Sequence, residues 1–395
     1  MQDTPVPTFF ADLSAQERAA LFTEERLRTL PAALATVPDP RKRRGQRYDL
    51  PFLLLCLVAA LLCDCNSLEA VGRWTRDHRS LLARVCGPRR HCTPTGALYR
   101  RLLPRLSVAH VERALAGWVQ QTRPRRARDP LAGDGKTVRG ARTETQAASH
   151  LLSLSTHTSH ETLVQVRVDE QTNEIPVLQE VLPHLALRGR VVTADALHTQ
   201  TALAQLLLDH HAAYLFTVKD NQPRLRAELA AYFTDRQATA RVATTVDRRR
   251  GRTETRTLRA STRLNACLRA YFPFPGIAQI AQLMRTVRTR TATRHETIYL
   301  ITSLAPRQAA PARLLALIRG HWSVESRHWL RDVTFGEDAT RLRTGAAPQI
   351  RAAFRNLVIT LIRRTGPTQS AAYRQHLRTH PAKALRLLVP KTHSA

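Results

Sequence analysis

A change of periodicity near residue 130 constrains the fold of this chain more than any other feature. Downstream of it, HLLSLST (150–156), TLVQVRV (162–168), RVVTAD (190–195) and AYLFTVK (213–219) are short runs rich in β-branched and aromatic residues, the pattern of strands. Helical patterns at 174–187 and 199–210 separate the later runs. Two strands in succession, followed by strands alternating with helices, predict an α/β fold built on a mixed sheet.

Upstream the spacing is helical. Leu13, Leu21, Leu27, Leu30 and Leu34 recur over 12–36 until PDP at 38–40 ends the pattern, and the basic cluster Arg41, Lys42, Arg43, Arg44 follows. Next come the apolar run Leu50–Cys63, a stretch with Leu68, Val71 and Trp74, another through Leu98, Leu102 and Leu103, and one over 107–119 with Ser107 as its cap. Residues 1–122 therefore read as an all-helical N-terminal domain, and the proline-bearing basic stretch 123–130 as a linker. The first part of the α/β core is expected over 131–220. Residues 221–304 are mostly extended and arginine-laden, a β-rich insertion with a short helix near 223–233. Helical patterning returns over 305–395, from Ala309 to Arg319, through HWSVES, and from Ala346 to Arg364 with Phe354, Leu357 and Leu361 on one stripe.

The chain carries 61 Lys+Arg against 31 Asp+Glu, a formal charge of +30, mostly through arginine. The planar guanidinium fork suits phosphate oxygens, so double-stranded DNA is the first partner to consider; a solvated basic surface is the competing explanation. The start MQDTPVPTFFADLS lacks the basic and apolar regions of a secretory signal. The apolar run after Leu50 is shorter than the roughly 20 residues that span a bilayer. A cytoplasmic, nucleoid-associated protein without a membrane partner is expected. The six cysteines fit neither a disulfide framework nor a paired zinc pattern, although Cys86, His91 and Cys92 are close in sequence.

Three acids stand in settings that suit chemistry on phosphates. Asp195 directly ends the apolar run VVTA, so a central strand would carry it to the carboxyl edge of the sheet, where α/β ligands bind; its competing role is to cap the following helix. Asp134 precedes Gly135 and Lys136 in LAGDGKTVRG, and taken alone an Asp-Gly pair reads as a turn. Glu325 lies in HWSVESRHWLRDVTFGED, three residues after Trp322 and four before Trp329; a salt bridge to Arg319 or Arg327 is its plain alternative, and Asp332, Glu337 and Asp338 are rival third acids. Mg²⁺ takes oxygen ligands and keeps several waters, and a two-metal phosphoryl site needs one shared carboxylate between two flanking ones. Asp134, Asp195 and Glu325 fill those places, with Mg²⁺, or Mn²⁺ in its stead, as the cofactor. Lys136, Lys219 and His321, and the stripe Arg248, Arg249, Arg250, Arg252 and Arg256, are candidate DNA contacts.

With these residues in place, the chain resembles the ISAs1 family of bacterial insertion-sequence transposases, a branch of the DDE transposases. The matching stretches are DPRKRRGQRYDLPFLLL, LYRRLL, DGKTVRG, HLLSLST, TNEIP, VVTADALHTQ, AYLFTVKDNQ, GRTETR and HWSVESRHWLRDVTFGED, in that order. The chain differs at Gly133, where a β-branched residue is usual, in VESRHW for the commoner IENxLHW, and in lacking a lysine before TNEIP. The resemblance implies a ribonuclease-H-like core whose acids match Asp134, Asp195 and Glu325, with the β-rich insertion between the second and third. It further implies an N-terminal domain that helps recognise element ends, metal-dependent cleavage at those ends, strand transfer to target DNA, and action as a homo-oligomer on DNA. An inactive or domesticated DNA-binding descendant, and a nuclease without strand transfer, are the rival readings.

Overall fold

The computed structural model describes residues 29–86, 93–123, 128–138, 150–168, 173–235, 237–249, 251–272, 274–339, 342–366 and 369–388. Most of the 12–36 helical pattern, His91, Cys92 and Arg250 lie outside them. The helices before the sheet are α1 (Leu30–Ala35), α2 (Leu50–Leu62), α3 (Leu68–Asp77), α4 (Arg79–Cys86), α5 (Gly96–Leu102) and α6 (Val108–Gln121). There follow β1 (Leu131–Thr137), β2 (His150–Thr156), β3 (Thr162–Val168), α7 (Glu174–Val181), β4 (Val191–Ala194), α8 (Thr201–Asp209) and β5 (Ala213–Val218). Next are α9 (Pro223–Thr234), β6 (Arg241–Arg249), β7 (Arg252–Ser261), α10 (Asn265–Tyr271), β8 (Gln279–Arg288) and β9 (Thr293–Thr302). Four helices close the order: α11 (Pro311–Trp329), α12 (Ala347–Arg364), α13 (Ser370–Thr379) and α14 (Pro381–Leu388).

These elements form two compact units, residues 1–127, 135–173 and 325–395 in one, 128–134 and 174–324 in the other. In the first, α2 begins with Pro51 in its opening turn, where the missing N–H costs nothing, and is apolar all round, so it is buried on every side. The stretch Arg43–Leu62 is long and apolar enough to pass for a membrane span by composition, yet its α-helical part is thirteen residues and packs among the helices of this unit. Ser107 caps α6 as its position predicts, accepting the His110 N–H. Gly72 and Gly96 let α3 and α5 approach closely: a Cβ on Gly72 would lie 2.5 Å from the Gly96 nitrogen. In the same unit α6 and α12 pack on β3, which pairs antiparallel with β2.

The second unit is a large mixed sheet. Its strands run in the order β1, β4, β5, β9, β8, β7, β6, with β6 at the edge. β1, β4 and β5 are parallel, β9 is antiparallel to β5, and β6 to β9 form two long antiparallel hairpins. One face of β7, β8 and β9 presents Leu258, Leu283, Ile298 and Leu300 to Leu314, Leu315 and Ile318 of α11, within the helical patterning that the sequence shows from Ala309 to Arg319. The β-rich segment expected over 221–304 is therefore four strands with two short helices, α9 and α10.

Candidate active site

Asp134 and Asp195 lie side by side. β1 and β4 pair in parallel with Leu131 opposite Val192 and Ala132 opposite Thr193, and the same register carried on by two residues sets Asp134 level with Asp195. Neighbouring strands run about 4.8 Å apart, and residues level on parallel strands project to the same face. By this register Asp195, directly after the last residue of β4, stands beside Asp134, midway along β1; Asp134 is half-buried and Asp195 exposed. Asp134 does not form the turn that its Asp-Gly pair suggests in isolation. The backbone stays extended through Gly135, and Asp134 sits within the strand.

The segment after β4 is pinned to the end of β5. The Thr199 hydroxyl donates to the Thr217 carbonyl at 2.6 Å, Asn221 Nδ2 to the Ala196 carbonyl at 2.5 Å, and Gln222 Nε2 to the Thr199 carbonyl at 3.1 Å. Asp195 Oδ1 accepts the His198 N–H at 3.4 Å, a local turn rather than a cap on α8, whose N-cap is Gln200. His198 is buried, with Nε2 3.0 Å from Glu174 Oε2. Lys219 follows the last residue of β5 and is exposed at the same edge.

On α11, His321 is buried with Nδ1 3.1 Å from the Thr193 hydroxyl. That hydroxyl donates its single proton to the Leu131 carbonyl, so it can only accept from the imidazole, and His321 carries its proton on Nδ1. Burial pushes the His321 pKa down to about 4, which the negative charge of Asp195 opposes and the nearby His198 and Lys219 reinforce. The imidazole is neutral at pH 7, with an Nε2 lone pair. Thr193 and Asp195 are two residues apart on β4 and so share a face. His321 is therefore held against the same side of β4 that carries the acid. Glu325 follows one turn later in α11, at the i+4 position of that helical face; its side chain lies outside the described residues.

The rival acids are committed elsewhere. Glu337 is fully buried: burial opposes its charge, but Arg331, with Nε at 2.9 Å, and Arg355 outweigh that and hold its carboxyl below the usual value. Asp332 accepts Lys136 Nζ at 2.6 and 2.7 Å. Lys136, expected as a DNA contact, is thus buried in an ion pair because a long side chain on a strand reached an acid remote in sequence. His321 is likewise a buried group rather than an open phosphate contact. Of the arginine stripe, Arg248, Arg249 and Arg252 are exposed. Arg256 is tied to Asp247 at 2.5 Å and to Glu254 at 2.6 Å. Among the described residues no group of three His, Cys, Asp or Glu is gathered as a metal cage. The signal missed from sequence was Thr193, whose single hydroxyl fixes the His321 tautomer.

Comparison with known proteins identifies the family of the chain. Residues 125–361 match the family described as "Transposase DDE domain", and residues 32–119 the one described as "DDE_Tnp_1-associated". Among curated relatives, "Putative transposase YncI" of Escherichia coli O157:H7 is 23% identical over 342 residues, covering 84% of this chain and 86% of that protein. "H repeat-associated putative transposase YhhI" of Escherichia coli strain K12 is 24% identical over 368 residues, 91% of this chain and 95% of the relative. Among solved structures, a piggyBac transposase synaptic complex with hairpin DNA aligns with a TM-score of 0.39 and 13% identity, over 95% of this chain and 82% of its own. With the DDE-domain match spanning more than half of its length, the chain belongs to the DDE transposase family, and is a DNA transposase.

Proposed function

We propose that this transposase is of the ISAs1 branch and cuts DNA at the ends of its own element, with Asp134, Asp195 and Glu325 as its catalytic acids. The observation that carries the reading is the register that sets Asp134, within β1, level with Asp195, directly after β4. The ribonuclease-H-like description is supported by β1, the antiparallel pair β2–β3, and then β4 and β5 parallel to β1 and joined by α8.

Two carboxylates one strand spacing apart at a partly exposed edge suit Mg²⁺, which takes hard oxygen donors and keeps much of its water shell; Mn²⁺ suits the same donors. Asp134 and Asp195 would hold such an ion, with Glu325 completing the shell. A bound divalent cation supplies Lewis-acid polarisation of the phosphodiester and of the attacking oxygen. The protein's own groups do the rest. The hydrogen bonds on Ala196, Thr199 and Asp195 fix the second acid before DNA arrives, so little reorganisation accompanies the reaction. His321, neutral and bonded to Thr193, positions the β4 edge from within. Lys219 and the exposed arginines of β6 and β7 contact phosphates. Attack of water breaks a P–O bond and frees a 3′-hydroxyl, which then attacks a phosphodiester of target DNA. The working form is a homo-oligomer on paired element ends.

The test is Asp195→Asn on a plasmid carrying the DNA that flanks the coding sequence. Nicking in Mg²⁺ should disappear while binding of the same DNA persists. Nicking at the original rate would refute the assignment.

A further inference from the structure

The two hairpins β6–β7 and β8–β9 extend the sheet well past the catalytic edge. Asp195 is level with Thr217 of β5 by the β4–β5 register, and Thr217 pairs with Leu300 of β9. β9 begins at Thr293, seven residues further out, and there it pairs only with β8. At roughly 3.4 Å per residue the arm reaches about 24 Å beyond the level of the acid pair. β7 and β8 pair with Thr253 opposite Arg288, so the turns of both hairpins lie at this same outer end.

The charge of the arm is strongly segregated. Its strands contain three acids, Asp247, Glu254 and Glu296, and each is ion-paired with an arginine: Arg256 and Arg319 on Asp247, Arg252, Arg256 and Arg285 on Glu254, Arg285 on Glu296. By register, the opposite face carries Thr244, Thr257, Met284 and Thr297 in one row, Val246, Thr255, Thr286 and His295 in the next, and no acid. At the outer end Arg248, Arg249, Arg288, Arg290 and Arg294 are exposed and form no ion pair among the described residues. By the same register Arg248 and Arg288 lie on this acid-free face and Arg249 and Arg294 on the other, with Arg290 in the β8–β9 turn. Guanidinium groups at the tip of a hydroxyl-rich, acid-free face match the chemistry of a duplex phosphate backbone, which arginine and threonine side chains both contact.

Taken together, the geometry points to the β6–β9 arm as a DNA-holding spacer that grips duplex phosphates about seven base pairs from the phosphodiester at the acid pair. The distance follows from about 24 Å of arm against about 3.4 Å of rise per base pair. This inference rests on the catalytic reading above and adds a second DNA contact at a fixed offset, in which the β8–β9 turn takes part as much as the β6–β7 turn.

Two measurements on the full chain test it. Binding of a fluorescein-labelled 40-base-pair mixed-sequence duplex is followed against salt for the native chain and for the double variant Arg288→Glu/Arg290→Glu. The variant should lose tenfold or more in affinity, and the slope of log K against log salt should flatten by about 2, the release expected from two phosphate contacts. The milder pair Arg288→Gln/Arg290→Gln should flatten the slope equally, with unchanged melting temperature because both side chains are exposed. Unchanged affinity and slope in either variant would overturn the contact. In the second measurement an iron chelate attached to Arg290→Cys cuts the plasmid carrying the flanking DNA, with the native chain treated alike as background. Cuts should centre about seven base pairs from the nick; cuts at the nick itself, or scattered, would overturn the spacing. The two readings fail separately: Asp195→Asn that still nicks defeats the catalytic assignment and leaves the salt slope intact, whereas a native slope in the arm variants defeats the arm alone.

Discussion

Thr193 and His321 meet at 3.1 Å beside the carboxyl end of β4, with the threonine proton already given to the Leu131 carbonyl. One hydroxyl therefore ties β1, β4 and α11 together and decides which imidazole nitrogen is protonated. Its energetic cost appears in acid. The folded pKa of about 4 lies below the ordinary value of 6.5, so the unfolded chain binds the extra proton. His321 thus contributes full stability above pH 6.5 and loses it as pH falls towards 4.

Between pH 6.5 and 4 the native chain should lose on the order of 3 kcal/mol from this group. His321→Asn keeps an N–H for Thr193 and cannot titrate. Its denaturant midpoint should depend less steeply on pH over that window, and an identical dependence in both chains would remove His321 as the cause.

Glu112 sets the opposite limit. It is buried on α6, where it accepts Gln165 Nε2 at 2.7 Å, and burial pushes its pKa up to about 8 despite that hydrogen bond and Arg331. The folded state holds the proton, so stability is full below pH 4.5 and falls as pH rises through 8. Glu112→Gln preserves an acceptor for Gln165. At pH 9 it should be more stable than the native chain by several kcal/mol, and at pH 4 nearly equal to it, as read by chemical denaturation.

The acid pair makes a prediction that does not require turnover. If Asp134 and Asp195 share a divalent ion, millimolar Mg²⁺ or Mn²⁺ should raise the melting temperature of the native chain through binding to the folded state. Asp134→Asn and Asp195→Asn should each abolish most of that rise. A full metal response in either variant would place the ion elsewhere.

Glu337 should behave as a structural group. Replacing it with Gln leaves Arg331 and Arg355, each about 1% exposed, without their shared carboxylate. Breaking a buried pair in this way costs about 3–5 kcal/mol. Loss of stability with an unchanged Mg²⁺ response is expected from thermal melts, and loss of the metal response would instead make Glu337 a ligand.

At Gly72 the constraint is space. Gly72→Ala would press a methyl group onto backbone atoms of Gly96 and Thr95, which cannot swing aside as a side chain would. A destabilisation of about 1–3 kcal/mol is expected, and a neutral effect would show that α3 and α5 separate freely.

Much of the architecture was legible because it follows from local periodicity. HLLSLST, TLVQVRV, VVTA and AYLFTV are strands, 311–329 is one helix, and Ser107 caps α6, each where the pattern placed it. Asp195 was legible too, since an acid ending a buried run marks a strand edge whatever the neighbours are. Asp134 was not, because Asp-Gly favours a turn locally and only its place in the sheet, within β1, keeps it extended.

What the sequence alone determined, then, is the succession of elements, the transposase family resemblance and the excess of positive charge, all of which depend on residues near one another in the chain or on composition. Tertiary structure decided which charges are available. Lys136 read as a phosphate contact until Asp332, brought up from a distant segment, claimed it, and Arg256 until the pairing of β6 with β7 set it against Asp247 and Glu254. Arg288, Arg290 and Arg294 became candidates only when strand pairing carried them past the acid edge, with no ion pair among the described residues. Ion pairing depends on distance in space, and separation along the chain fixes that distance only within a turn or a strand.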